Sequence, residues 1–241
     1  MARIVIFGNG QVAELALARI RRDTDHVAVG FTVDREFIDA ATLHGLPVVP
    51  FDEVAAHWPP GSHSMHIAIG PTNVNRIREE RFRASKEMGY ALVSLISPRA
   101  DIWPGVEVGE NCVVGDGCSI LPFTRIGDNV HLSTGCAVAH HCTIGDHAFL
   151  APRVIVTGSV RIDPFAFIGA GAILRDGIVV GASSFIGAGV VLNTDASPSS
   201  VYAAAAATLL PISSDRLPAR TTRSRRDVPD NQHADFDGQS R

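Results

Sequence analysis

Residues 124–150 read TRIGDN-VHLSTG-CAVAHH-CTIGDH-AFL, broken here into units of six. In each unit the first residue is small or β-branched and the third is Ile, Leu or Val. The third-position series runs outward in both directions. From Ile102 to Leu192 every sixth residue is Ile, Val or Leu without exception. A period of six is neither the 2 of an ordinary strand nor the 3.6 of a helix. It is the signature of a parallel β-helix built from hexapeptides, three to a coil, so that residues 18 apart stack. Both patterned positions point inward, since alternate strand residues share a side. Gly follows the aliphatic residue at Gly109, Gly115, Gly127, Gly145, Gly169, Gly181 and Gly187, where a corner is expected to need its conformational freedom.

The repeat accounts for all four cysteines. Cys112, Cys118, Cys136 and Cys142 occupy the small inward position, and no Cys-x-x-Cys spacing exists. They are read as core filler rather than metal ligands. With 241 residues and a net charge of −4, nothing points to nucleic acid. No apolar run has the length of a membrane span, and the N-terminus lacks the form of a signal peptide, so the cytoplasm is the expected compartment.

Upstream of the repeat, residues 2–8 read as a buried strand running into the turn Gly8-Asn9-Gly10. A helix from Gln11 to Arg22 and a strand from His26 to Val33 follow, the latter ending at Asp34. A further strand (Met65–Gly70), a charged helix (Asn73–Met88) and a strand (Tyr90–Ile96) complete the segment. Strands alternating with helices imply a parallel α/β sheet, and strand, Gly-x-Gly, helix, strand, Asp is the order of a Rossmann-like half. Gly8-x-Gly10-x-x-Ala13 alone leaves a ligand site and a purely structural turn both open. The Arg and Lys residues of 73–88 interleave with Glu79, Glu80 and Glu87 and read mostly as a solvated face.

Within the repeat, the chemistry-bearing feature is the histidine cluster in Ala139-His140-His141-Cys142-Thr143-Ile144-Gly145-Asp146-His147. His140 and His141 fall at turn positions near the surface, where a neutral imidazole suits general-base work.

A Rossmann-like domain of about 100 residues, followed by an uninterrupted hexapeptide helix carrying His140-His141-Cys142-Thr143-Ile144-Gly145-Asp146, resembles a group of bacterial sugar acyltransferases. The group includes the sialic acid O-acetyltransferases and the N-acetyltransferases of nucleotide-linked 4-amino-sugars. The resemblance, which covers residues 1 to about 210, implies an α/β Rossmann-like N-terminal domain (1–97), a left-handed parallel β-helix (98–196) and a C-terminal cap segment (197–215), while the polar, charged composition from Arg216 is read as a disordered tail (216–241). It implies an acetyl-CoA-dependent sugar N- or O-acetyltransferase, active as a homotrimer on a nucleotide-sugar or glycan, with no metal. His140 or His141 is then the base, and Phe149, Ala170 and Ala188 contact acetyl-CoA. Gly8, Asn9, Gly10, Asp34 and Gly70 hold the nucleotide-sugar.

The chain departs from the group in three places. The first loop has Gly10-Gln11-Val12-Ala13 where Gly-Gly-His-Gly is common. His141 stands where Glu often follows the base. Phe149 stands where a second histidine contacts acetyl-CoA, and His147 is its nearest substitute. Two other classes are weighed: a non-catalytic sugar-nucleotide-binding or assembly protein, and a zinc enzyme like the γ-type carbonic anhydrases, which share the β-helix. Ala203 to Leu210 reads as a short helix covering the open end of the core.

Overall fold

The computed structural model describes residues 1–208, 211 and 214. Met1–Ala204 form one compact unit. The tail from residue 216 lies outside the described residues.

The N-terminal part is a six-stranded sheet. Its elements are β1 (Arg3–Phe7), α1 (Gln11–Asp23), β2 (Val27–Val33), β3 (Thr42–Leu43), β4 (Leu46–Pro50), α2 (Val54–His57), β5 (Ser64–Ile67), α3 (Arg76–Glu87) and β6 (Ala91–Leu92). The order is β3-β4-β2-β1-β5-β6, parallel throughout except for β3 against β4. Alternation along β1 serves two cores. Ile4 and Ile6 pack with Ala13, Leu17 and Ile20 of α1, while Val5 and Phe7 pack with Phe51, Trp58 and Phe82 of α3 on the other side.

The expected strand Tyr90–Ile96 is broken. Ala91–Leu92 closes the sheet, and Leu95–Ile96 is already the first rung of the β-helix, paired with Val113–Val114. Ser94 makes the transition: its hydroxyl donates to Gly109 O and accepts from Cys112 N–H.

The β-helix has three faces of two-residue strands. Face 1 carries Leu95–Ile96, Val113–Val114, His131–Leu132, Phe149–Leu150, Phe167–Ile168, Phe185–Ile186 and Val201–Tyr202. Face 2 runs from Asp101–Ile102 through Ala137–Val138 and Ile155–Val156 to Val191–Leu192. Face 3 runs from Glu107–Val108 through Thr143–Ile144 to Val179–Val180. Every rung pairs in parallel with the rung 18 residues on, or 16 at Val201–Tyr202. From Val114 to Leu192 the aliphatic series is buried to 3% exposure or less, as are all four cysteines. Burial pushes the Cys112 thiol up to about 12, as befits core filler. The helix expected from Ala203 is absent over 203–208, which are irregular; Leu209 and Leu210 lie outside the described residues.

The corner glycines work differently from expectation. The left-handed residue of each unit is the third after the aliphatic one: Asn111, Gly117, Phe123, Asn129, Gly135, His141 and His147 all have φ between 52° and 74°. The glycines directly after the aliphatic residue serve instead to let the coils approach. A Cβ on Gly145 would lie 2.6 Å from Pro164 N, and one on Gly169 2.4 Å from Ala188 N. We therefore expect Gly145→Ala to lower the unfolding free energy by about 1–3 kcal/mol, because backbone must move. Ser159→Gly, at a left-handed position, should stay within about 1 kcal/mol of the parent. Chemical denaturation of the two variants checks the pair.

Candidate functional site

Three groups of expected site residues lie at three places. The first is the end of β1. Gly8 has φ 118°, and a Cβ there would sit 2.8 Å from Ala68 O, so only glycine fits. Gly10 stands before the first turn of α1, and its carbonyl accepts from Ala13 and Glu14 N–H. Gly8, Asn9, Gly10, Asp34 and Gly70 all line one open cavity of about 460 Å3, with Phe37 and Ile77 among its walls. Asp34 pairs with Arg81 of α3 at 3.1 Å. Burial pushes its carboxyl pKa up, and Arg81 opposes the shift. The free N–H groups at the start of α1 suit an anionic group.

The second place is the corner between faces 2 and 3. His140 and His141 are exposed there with their Nδ1 atoms 3.1 Å apart. One hydrogen fits between the two nitrogens, so one ring donates and the other accepts. His141 has φ 59° and lies against Phe123, with centroids 4.7 Å apart. His140 faces Gly158 on the next coil, where a Cβ would meet its Cε1 at 2.9 Å and Nε2 at 3.3 Å. Asp176, one coil further, accepts from Gly158 N–H at 2.6 Å. His140, Gly158 and Asp176 border a shallow cavity of about 410 Å3 that spreads over face 2.

The third place is the corner between faces 1 and 2. Ala170 and Ala188 are exposed and stacked, with Gly189 N–H donating to Ala170 O at 2.9 Å. Phe149 lies nearby on face 1, in a column with His131 (4.4 Å, 9° between planes) and Phe167 (5.7 Å). The cavity at the Gly8–Gly10 turn and the His140 cavity share no lining residue within one chain.

His147 lies away from His140, at the corner between faces 3 and 1. It packs against Phe82 and Phe165 and shares a hydrogen bond with Asn129. The charged residues of 73–88 are mostly solvated, as expected, with Arg78 the exception. Arg78 is 2% exposed and donates to His147 O at 2.8 Å. Burial pushes its pKa down to about 10. Arg76 lies 3.6 Å over the Phe165 ring. A helical turn pattern rich in both charges does not reveal which cation meets a protein surface instead of water. Gly158 and Asp176 were missed too, although the 18-residue period from His140 marks both.

Among the described residues, no group of three or more His, Cys, Asp or Glu side chains is placed to hold a metal ion, and no helix is long and apolar enough to cross a membrane.

The family pattern described as bacterial transferase hexapeptide (six repeats) matches residues 123–158. The hexapeptide repeat of succinyl-transferase matches 99–122, 105–139 and 165–194. Among solved structures, PerB of Caulobacter crescentus, in complex with CoA and GDP-perosamine, is 30% identical. The match covers 83% of this chain and 93% of PerB, with a TM-score of 0.74. The acetyltransferase domain of PglB from Neisseria gonorrhoeae, in complex with acetyl coenzyme A, is 23% identical over 83% of this chain and 95% of that one (TM-score 0.72). WeeI of Acinetobacter baumannii is 22% identical over 83% and 96% (TM-score 0.71). These last two attest to the fold alone. Among curated proteins no sequence matches. The chain is an acyltransferase with a hexapeptide left-handed β-helix. It belongs to the hexapeptide-repeat sugar acyltransferases, the family of the nucleotide-amino-sugar N-acetyltransferases.

One prediction concerns His66, fully buried at the seam between sheet and β-helix, with Nδ1 donating to Val93 O at 2.9 Å. Burial lowers its pKa from 6.5 to about 4. The unfolded chain therefore binds a proton that the folded one refuses as pH falls from 6.5 to 4. Stability is full above 6.5 and drops by on the order of 3 kcal/mol across that window. Unfolding titrations at stepped pH should show this slope, and His66→Gln should flatten it.

Proposed function

We propose that the protein transfers an acetyl group from acetyl-CoA to the amine of a nucleotide-linked amino-sugar. Residues 1–97, a Rossmann-like half, hold the nucleotide-sugar, and the β-helix supplies the transfer chemistry. The reading rests on the His140–His141 corner in a chain 30% identical to PerB, which was crystallised with CoA and GDP-perosamine.

In this reading His140 donates Nδ1–H to His141 Nδ1, which leaves its own Nε2 as the base. Nε2 takes the proton from the amine as the nitrogen attacks the thioester carbonyl carbon. The C–N bond forms, the tetrahedral intermediate collapses, and the C–S bond breaks. The proton held on Nε2 passes to the departing thiolate. Backbone N–H groups along the neighbouring corner would hold the oxyanion. Ala170 and Ala188 have no side chain beyond Cβ, so an extended pantetheine arm can lie against the backbone there. Diphosphate oxygens accept from N–H groups of the Gly8–Gly10 turn, and the Asp34 carboxylate accepts from nucleoside hydroxyl or N–H donors.

A homotrimer fits the same geometry. Face 2 presents Ile155 and Val191, 41% and 56% exposed, as part of a flat apolar strip beside His140. A second copy packed there would bring one subunit's His140 to another subunit's nucleotide cavity.

His140→Ala should lose about 100- to 10,000-fold in kcat with nucleotide-sugar affinity retained. His141→Phe, which removes the Nδ1 acceptor, should lose less than His140→Ala, and His141→Asn less again. Steady-state acetyl transfer to GDP-, UDP- and dTDP-linked 4-amino-sugars measures all three. Full activity in His140→Ala would remove the base assignment. For the assembly, mixing His140→Ala protomers with Gly8→Val protomers, each inactive alone, should restore activity. Failure to complement in verified mixed oligomers would place the whole site within one chain.

A further inference from the structure

A third cavity, of about 270 Å3, lies between α1 and face 1 of the β-helix. Ala16, Leu95, Val113, Phe149 and Pro152 give it apolar walls. Its polar lining is unusual. His66 and His131 both have pKa values lowered by burial, so at neutral pH they carry no charge. Arg19 also borders it, and its Nη1 is buried with no hydrogen-bond partner. The guanidinium is therefore the one positively charged group among the residues that line the cavity.

The cavity reaches the surface beside Leu15 of α1 and at a corner already described. Thr134 and Pro152 are exposed lining residues, and both belong to the 18-residue column that continues to Ala170 and Ala188. The column is hydrogen-bonded coil to coil: Arg153 N–H donates to Thr134 O, Gly171 N–H to Pro152 O and Gly189 N–H to Ala170 O. Three coil steps make a straight track of about 14 Å. In the acyl-CoA reading above, a pantetheine arm laid along Ala188 and Ala170 with its thioester toward Pro152 would direct the acyl group at this cavity, which Phe149 helps to line.

We propose that this cavity receives the distal end of acyl groups longer than acetyl, and that Arg19 Nη1 donates to an oxygen at their tip. The proposal rests on the acyl-CoA reading above and extends its donor range. Size supports it, because a cavity of about 150 Å3 already accommodates benzene, and a two-carbon acyl group would leave most of this one vacant. Lining supports it too: seven of the twelve lining side chains are hydrophobic, which suits a short hydrocarbon chain with one polar group at its tip. The reaction balances as before, with the amide C–N bond formed, the C–S bond broken and the amine proton passed to the CoA thiol.

The test is a donor series of acetyl-, butyryl- and 3-hydroxybutyryl-CoA, each at saturating acceptor, with kcat/KM measured for the parent and three variants. The parent should use 3-hydroxybutyryl-CoA at least as well as acetyl-CoA and several-fold better than butyryl-CoA. Val113→Phe continues the aromatic column of face 1 into the cavity, and Ala16→Phe fills it from α1. Either should lower the ratio of 3-hydroxybutyryl to acetyl transfer by tenfold or more. Arg19→Met should bring 3-hydroxybutyryl- and butyryl-CoA level. A parent that uses only acetyl-CoA, or a ratio unmoved in whichever filled variant folds, overturns the proposal while leaving acetyl transfer standing. Equal parental rates for the two four-carbon donors overturn the role of Arg19. Absence of transfer from every donor, with no CoA binding by calorimetry, overturns the acyl-CoA reading itself.

Discussion

The structure depends on the closeness of one coil to the next. Parallel strands sit about 4.8 Å apart, and here that spacing holds at the corners as well as on the faces. At Gly109, Gly115, Gly145 and Gly169 the corners come so close that a Cβ after the aliphatic residue would meet the next coil at 2.4–2.7 Å. Close corners also leave no slack for register to drift. Each residue is therefore locked above the one 18 before it, and the β-helix becomes a set of columns. In the proposed reading, function is distributed over these columns. His140, Gly158 and Asp176 form one; Thr134, Pro152, Ala170 and Ala188 form another; His131, Phe149, Phe167 and Phe185 form a third.

A fourth column joins the two halves of the molecule. Asn111 accepts from Ile67 N–H at the end of β5 and donates from Nδ2 to Asn129 Oδ1 at 2.8 Å. Asn129 in turn meets His147 Nδ1 at 3.0 Å. All three residues hold the left-handed turn conformation that Asn tolerates better than most side chains. Arg78 closes the seam from α3 by donating to the carbonyls of His147 and Ala148. A cation this deep is costly to desolvate. Its two carbonyl bonds offset part of that cost and fix α3, and with it Arg81 and Asp34, relative to the β-helix. The cavity at the Gly8–Gly10 turn is thus positioned by contacts made far from it.

The periodic part of this molecule was legible because each inward position repeats one physical demand, so the aliphatic series, the cysteine packing and the stacking of Ala170 under Ala188 could be read directly. The glycine reading was half right: position was clear, but steric approach and backbone angle give the same residue preference from sequence. The Gly8–Gly10 turn and Asp34 were legible for the same reason that they converge, since parallel strands deliver their C-terminal ends to one edge. The break at Val93–Ser94 was not, because an apolar run that leaves one sheet and enters another keeps its hydrophobicity. Nor were Arg78 and the face 1 cavity, which exist only where two separately patterned surfaces meet.

The His-His corner raises a chemical question that the columns help to answer. A carboxylate beside a base can only accept, so it fixes the tautomer and balances the charge of the imidazolium. A neutral imidazole can accept or donate, and it brings no charge. The tautomer must then be set by surroundings, and these are unequal: His141 leans on Phe123 in a constrained turn, whereas His140 borders the open cavity. The charge must come from another residue. The position of a Cβ on Gly158 would be 3.3 Å from His140 Nε2 and 3.5 Å from Asp176 Oδ1, so nitrogen and carboxylate lie within about 7 Å of each other across that glycine. Asp176 is anchored there by the Gly158 N–H. In the proposed reaction it supplies, from two coils away, the negative charge that a carboxylate at position 141 would have supplied from the next residue. A bare glycine between them keeps that path free of side-chain atoms.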